Sequence, residues 1–302
     1  MNRLSKFIRL TRVQFTPLII TPVLIGTAAA WGFDRMFNPV YLLLAVVGSV
    51  FLHLASNTID DVFDYRAGVD QMSDQLFPPD FPGWKAIPRG VVTLGRARIY
   101  SYLMFGAAAS IGLYFTIAVG YWVLALLATG VFLGYFYTAP PLRLDFRGVG
   151  LGELSIFATF GVIPALGAYY VQTATLSPIA AYVAIPSGIL TATVLMCHDQ
   201  IFFEPYVKTG KRTLTIVLGR GRALTATLLF SIVAYLSVVF GVFSSLLPPT
   251  SLAVCFTIPL TLRQLRILLK HEKTPPDYAA LTQATFMADI AFGVLFAAGL
   301  LL

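Results

Sequence analysis

Nine apolar stretches recur along this chain of 302 residues, each about 17 to 25 residues long, the length an α-helix needs to cross the hydrocarbon core of a bilayer. They run approximately over 13–33, 39–59, 95–117, 121–138, 152–172, 178–203, 223–243, 249–268 and 279–301. Lipid offers backbone N–H and C=O groups no partner, so each stretch must satisfy its own and is predicted to be helical. Charged residues make up only 12% of the chain, about half the share of a soluble globular protein, which excludes a water-facing fold. The expected architecture is an all-α polytopic membrane protein of nine transmembrane helices, a single domain over 1–302. The first stretch contains Pro17 and Pro22 and shows no small-residue cleavage site, so it reads as a retained span and not a signal peptide.

The cations orient these spans, because Lys and Arg flanking a span stay on the cytoplasmic side. Of 21 Lys and Arg, only Arg35 falls at the opposite set of ends. The others precede the first span or follow the second, fourth, sixth and eighth. This predicts a cytoplasmic N-terminus and an external C-terminus. The net charge of +7 then serves topology and attraction of phosphate, and no pattern of nucleic-acid recognition accompanies it. Cys197 and Cys255 both lie in apolar runs without metal-ligand spacing, which argues against a disulfide framework or a zinc site.

The second span runs into NTIDDVFDYRAGVD, residues 57–70. If the helix continues, Asn57, Asp60, Asp61 and Asp64 fall at i, i+3, i+4 and i+7 and gather on one face. Carboxylates crowded at a membrane boundary repel one another and lose hydration unless a cation compensates them. A divalent metal with oxygen ligands does so most directly, and Mg²⁺ typically takes one or two carboxylates together with substrate phosphates. The sixth span ends in CHDQIFFEPYVKTGKRTL, residues 197–214, where Asp199 and Glu204 approach the same boundary. Spans two and six run in the same direction, so the chain reads as two related halves around a central cavity, each closing its second helix with acids followed by a basic loop.

Those loops carry the rest of the expected site. The segment 65–94 holds Arg66, Lys85 and Arg89 among Pro78, Pro79, Pro82 and Pro88, a length and composition common in functional loops. The connection YTAPPLRLDFRGVGLGE, residues 137–153, brings Arg143 and Arg147 to the same face, and Lys208, Lys211 and Arg212 follow Glu204. Glu153 at the start of the fifth span reads equally as a site residue or as a helix N-terminal carboxylate favoured by the dipole. Asp289 lies within the ninth span and has no second motif residue beside it. Acids, Lys/Arg loops and an apolar cavity together imply a substrate with a diphosphate head and a hydrocarbon tail. That describes a prenyl diphosphate whose allylic C–O bond breaks toward an electron-rich aromatic acceptor.

DDVFDYRAGVD at 60–70, preceded by Asn57, resembles the first aspartate motif of the UbiA superfamily of intramembrane prenyltransferases, with Asp60 where an Asn is common. GKRTL at 210–214 resembles that superfamily's second motif, although Phe202 and Tyr206 stand where acids are expected counting back from Gly210. YTAPPLRLDFRGVGLGE and FGVIPALGAYYVQT, residues 160–173, look like the branch that prenylates 1,4-dihydroxy-2-naphthoate. The resemblance implies a nine-helix UbiA-like bundle in a prokaryotic plasma membrane, with Mg²⁺ as cofactor and a site open to the cytoplasm. It implies transfer of a long prenyl chain with release of diphosphate and CO₂. Carried over by position, Asn57, Asp60, Asp61, Asp64, Asp199 and Glu204 would hold metal, with Asp61, Asp64 and Asp199 central to catalysis. Asn57, Arg66, Lys85, Arg143, Lys211 and Arg212 would contact the diphosphate. Other acceptors (4-hydroxybenzoate, homogentisate or a non-aromatic alcohol) stay open, as does a secondary transporter with intramembrane carboxylates.

Overall fold

A computed structural model of the chain describes residues 3–77 and 85–302, so Pro78, Pro79 and Pro82 of the long loop lie outside the described residues. Helices follow one another as α1 (Arg3–Thr11), α2 (Pro17–Asp34), α3 (Pro39–Arg66), α4 (Val69–Leu76), α5 (Leu94–Ala118), α6 (Trp122–Phe136) and α7 (Leu151–Phe157). Then come α8 (Ile163–Thr173), α9 (Pro178–Ile201), α10 (Phe203–Thr209), α11 (Leu214–Leu218), α12 (Arg220–Phe243), α13 (Ile258–Leu268) and α14 (Pro275–Leu301). No strand occurs among the described residues.

Among the described residues, eight helical segments are long and apolar enough to cross a bilayer, and the protein is an integral membrane protein of the all-α class. Three of the eight are composite, the first because a 3₁₀ turn at Val13–Phe15 runs into α2. A π-helical turn at Ala158–Val162 joins α7 to α8, and a 3₁₀ stretch at Pro249–Thr257 leads into α13. The expected span at 121–138 is α6, only 15 residues long. At 1.5 Å per residue it measures about 22 Å, short of the hydrocarbon thickness. Large apolar side chains such as Ile117, Phe243 and Phe256 are 82–89% exposed, an arrangement suited to lipid and costly in water.

Helices α2, α9, α12 and α14 share a core around Ile25, Val183, Val238, Phe292 and Phe296. Small residues let these backbones approach, as expected where lipid gives no hydrophobic drive for association. Where the π turn crosses α9, a Cβ on Gly161 would stand 2.5 Å from Gly188 Cα, so nothing larger than glycine fits. π turns of this kind often mark functional sites, and here Thr159 and Phe160 of the turn line the central cavity.

Three structural choices place the polar end of that cavity. Helix α3 is capped at its start by Asn38, whose side chain accepts from Val40 and Tyr41 N–H, and continues unbroken for 28 residues into the acidic stretch. Helix α9 stops at Ile201 and the chain turns into the short α10. The connection between α6 and α7 folds into a tight turn with Arg143 in the left-handed region. These endings meet at one end of the bundle.

Candidate active site

A cavity of about 270 Å³ opens between α2, α3, α5, α6, the α7–α8 segment and α9. Its polar end is lined by Arg12, Asn57, Asp60, Asp64, Lys85, Asp199, Tyr206 and Lys211. Its other end is apolar, bounded by Leu44, Ala45, Ile111, Phe115, Val123 and Val171 among others. Leu44 and Asp64 are twenty residues apart on one helix, so the cavity follows α3 for about 30 Å, the thickness of the hydrocarbon core.

Along α3 each residue turns the side chain by about 100°, and this decides which acids face inward. Asn57, Asp60 and Asp64 line the cavity. Asp61, expected on the same face, sits on its flank, 2% exposed, where it pairs with Arg12 and with Lys85 Nζ at 2.7 Å. Asn57 Nδ2 lies 3.3 Å from the Thr11 carbonyl and 3.1 Å from His53 Nε2, so Oδ1 is the atom left for a ligand. Arg12 reaches Asp60 as well, at 3.3 Å, from a residue held at φ 54°. A left-handed non-glycine costs about 1–2 kcal/mol, and two ion pairs at the site hold it there.

The second contribution comes from the turn after α6. Asp145 is buried, its backbone N–H donating to the Tyr137 carbonyl at 3.1 Å. Lys211 Nζ lies 2.6 Å from Asp145 Oδ2 and 2.9 Å from Asp64 Oδ2, and stands 4.8 Å from the Tyr206 ring centroid. Burial alone would lower the Lys211 ammonium, but Asp145 and Asp64 hold it well above its ordinary value. Burial pushes the Asp145 carboxyl well above the carboxylate range, with Lys211 opposing and Asp64 adding to the rise. Asp70, on α4 and 3.3 Å from Lys85, is raised by burial to about 6. Burial also pushes the Lys85 ammonium below its ordinary value, with Arg12 adding to the effect. Glu153, left open between two roles, accepts from Leu214 N–H at 2.9 Å, which pins the segment carrying Lys211 to the start of α7.

Ligand atoms of Asp60, Asp64 and Asp145 lie within 4.8 Å of one another. At an effective dielectric of 20, each such pair repels by about 3 kcal/mol when both are ionised. Asp60, Asp61, Asp64, Asp70 and Asp145 share Arg12, Lys85 and Lys211, a formal excess of two negative charges in ion-paired groups. Asp60 Oδ1 and Asp145 Oδ1 are buried without a hydrogen-bond partner among the described residues. Oxygen donors, an unpaired lone pair on each and a charge deficit of two fit a hard divalent cation such as Mg²⁺.

Other expected site residues lie elsewhere. Asp199 is buried at the cavity, but Glu204 is on the outer side of α10, its side chain 61% exposed and 3.3 Å from Arg220. The break at Phe202 turns the chain, so Glu204 does not continue the face of Asp199. Arg66 is exposed and stacks over Phe63 at 5.9 Å. Arg143 turns onto Phe146 at 4.6 Å, and Arg212 is exposed beside Gly148. None of these four cations and acids lines the cavity. Conversely, Arg12 and Asp145 belong to the cluster and were read only as a topology signal and as part of a turn. An acid set between two arginines in a Pro/Gly-rich turn was the available signal for Asp145.

The family model of the UbiA prenyltransferase family matches residues 19–297. The chain is 24% identical over 295 residues to 1,4-dihydroxy-2-naphthoate octaprenyltransferase of Bacillus subtilis, covering 97% of this chain and 91% of that protein. It is 26% identical over 285 residues to 2-carboxy-1,4-naphthoquinone phytyltransferase of Synechocystis sp., covering 93% and 88%. Among solved structures, a UbiA homolog from Archaeoglobus fulgidus bound to GPP and Mg²⁺ superposes with a TM-score of 0.68 at 17% identity, over 96% of this chain and 99% of that one. The apo UbiA homolog from Aeropyrum pernix K1 gives 0.63 at 13%, over 95% and 97%.

Proposed function

This chain belongs to the UbiA prenyltransferase family, and from that premise we propose that it transfers a polyprenyl group to 1,4-dihydroxy-2-naphthoate in menaquinone biosynthesis. Diphosphate and CO₂ are the other products. The observation that carries the reading is the continuity of one cavity: a cation-seeking carboxylate cluster with Lys85, Lys211 and Arg12 at one end, and an apolar channel along α3 at the other. A diphosphate fits the first end and a hydrocarbon chain the second, and the join between them is where the allylic carbon would lie.

Asp60 and Asp64, the two cluster acids that line the cavity, would hold Mg²⁺. Bound there, the ion would neutralise charge building on the diphosphate as the C–O bond breaks. Lys85, Lys211 and Arg12 bind the diphosphate oxygens as it leaves with the bonding electron pair, a fixed positive field that needs no reorganisation. The rings of Tyr206, Tyr137 and Phe160 wall the cavity and stabilise the allylic cation, and together with the apolar lining they keep water from it. The acceptor ring carbon bearing the carboxylate attacks the allylic carbon, and loss of CO₂ returns electrons to the ring. The cation distribution supports a site facing the cytoplasm.

The test uses purified protein in detergent with Mg²⁺, a polyprenyl diphosphate and 1,4-dihydroxy-2-naphthoate. Prenylated, decarboxylated product by mass spectrometry and stoichiometric diphosphate release are expected. Product only with 4-hydroxybenzoate, homogentisate or an alcohol would reassign the acceptor, and no diphosphate release with any acceptor would reject the reaction.

A further inference from the structure

Resting on the reading above, we propose that Asp145 is the third carboxylate of the cation site, filling the role expected of the acids at the end of α9. Four observations converge on it.

Of the two second-half acids, Asp199 lines the cavity but is not among the acids whose ligand atoms lie within 4.8 Å of one another. Glu204 points away from the cavity and pairs with Arg220. Phe202 and Tyr206, eight and four residues before Gly210, are buried and stack with centroids 5.9 Å apart at 21°. Phe77 packs edge-on to Phe202, which closes that wall with carbon. A hard cation finds little oxygen there.

Asp145 supplies what is missing, and from a backbone that is held. Its N–H is bonded to Tyr137, and a Cβ at Gly152 would stand 3.1 Å from Asp145 Cα, so α7 packs directly on the turn. The side chain is fully buried, with its oxygens in the group that includes Asp60 and Asp64. Oδ2 forms an ion pair with Lys211, and Oδ1 has no hydrogen-bond partner among the described residues.

Lys211 marks the position a cation takes. Its ammonium bridges Asp64 and Asp145 at 2.9 and 2.6 Å, between a carboxylate of α3 and one of the turn. A divalent ion competes for these oxygens and frees the ammonium, on its long flexible stem, for the diphosphate. Asp145 thus couples cation uptake to the release of a diphosphate-binding lysine.

The experiment measures binding of Mn²⁺ alone to the purified full-length protein by the free-ion EPR signal, alongside thermal unfolding in EDTA to verify the fold. Asp145→Asn is expected to weaken Mn²⁺ binding tenfold or more, and Glu204→Gln to leave it within twofold. Binding by Asp145→Asn within threefold of the parent overturns the proposal, as does a tenfold loss in Glu204→Gln. Should Asp145→Asn fail to fold, Fe²⁺-driven oxidative cleavage of the parent protein reads the same geometry. Cuts near 60–64 and 143–147 support Asp145, and cuts near 60–64 and 199–204 without the turn overturn it. Absence of Mn²⁺ binding by the parent removes the whole cation site and the prenyl-transfer reading with it, whereas loss of the Asp145 contrast alone leaves that reading standing.

Discussion

Lys211 and Asp64 are 147 positions apart, and the lysine Nζ lies within hydrogen-bond distance of both carboxylate oxygens, at 3.1 and 2.9 Å. This pair joins the segment after α10 to the end of α3 and so closes the polar end of the cavity. Both side chains are almost fully buried, at 4% and 3% exposure, so neither charge is screened by water. Removing one partner of a buried pair leaves the other uncompensated, which usually costs more than the pair itself contributed.

Lys211→Ala is therefore expected to lower stability by about 3–5 kcal/mol, the range for breaking a buried pair. Prenyl transfer should fall by two orders of magnitude or more. Thermal unfolding in detergent and diphosphate release at saturating Mg²⁺ check the two effects separately. A variant with wild-type turnover would show that the lysine only holds the fold.

Asp64 and Asp61 are neighbours in sequence with different surroundings, and their variants should separate. Asp64→Asn removes a charge facing the cavity and is expected to abolish turnover below about 1% and to raise the Mg²⁺ concentration needed for half-maximal rate. Asp61→Asn weakens the hold on Arg12 and Lys85 and should raise KM for the prenyl diphosphate more than it shifts the Mg²⁺ dependence. Rate against Mg²⁺ and against prenyl diphosphate for both variants provides the check. Identical profiles would mean that the flank position of Asp61 has no separate role.

The spans and the inward acids of α3 were legible because both are periodic: run length reports a bilayer, and i, i+3, i+7 reports a helix face. Glu204 was misplaced because its direction depends on where α9 ends, and an apolar run through Phe202 and Phe203 carries no stop signal before Pro205. Asp145 was passed over for the opposite reason. An aspartate beside Pro and Gly is the ordinary residue of a turn, and only packing of α7 onto that turn shows that its carboxylate is buried. Arg12 counted among the cations that set topology, and its return to the site needs the bend at φ 54°, which no local pattern announces.

Glu153 Oε1 accepts from Leu214 N–H, so Glu153 is expected to act by positioning the segment that carries Lys211. Glu153→Gln keeps an oxygen acceptor and should stay within about threefold of the parent in kcat/KM. Glu153→Ala leaves a backbone donor unpaired at about 1–3 kcal/mol and should lower kcat/KM about tenfold. Rescue by glutamine but not alanine separates positioning from charge, and an equal loss in both would assign the carboxylate a charged role.

Chain length should be set at the apolar end, where Ala45 lies nineteen residues and about 28 Å from Asp64 along α3. A bulky ring there meets only the far end of a long tail, while the diphosphate and the first isoprene units remain in unchanged surroundings. Ala45→Trp is accordingly expected to keep activity with geranyl diphosphate within about twofold and to reduce it tenfold or more with a polyprenyl diphosphate that reaches residue 45. Competition between the two donors, read by mass spectrometry of the products, measures this ratio directly. An equal loss for both would mean that the tail leaves the cavity before reaching the far end of α3, most directly between helices into lipid.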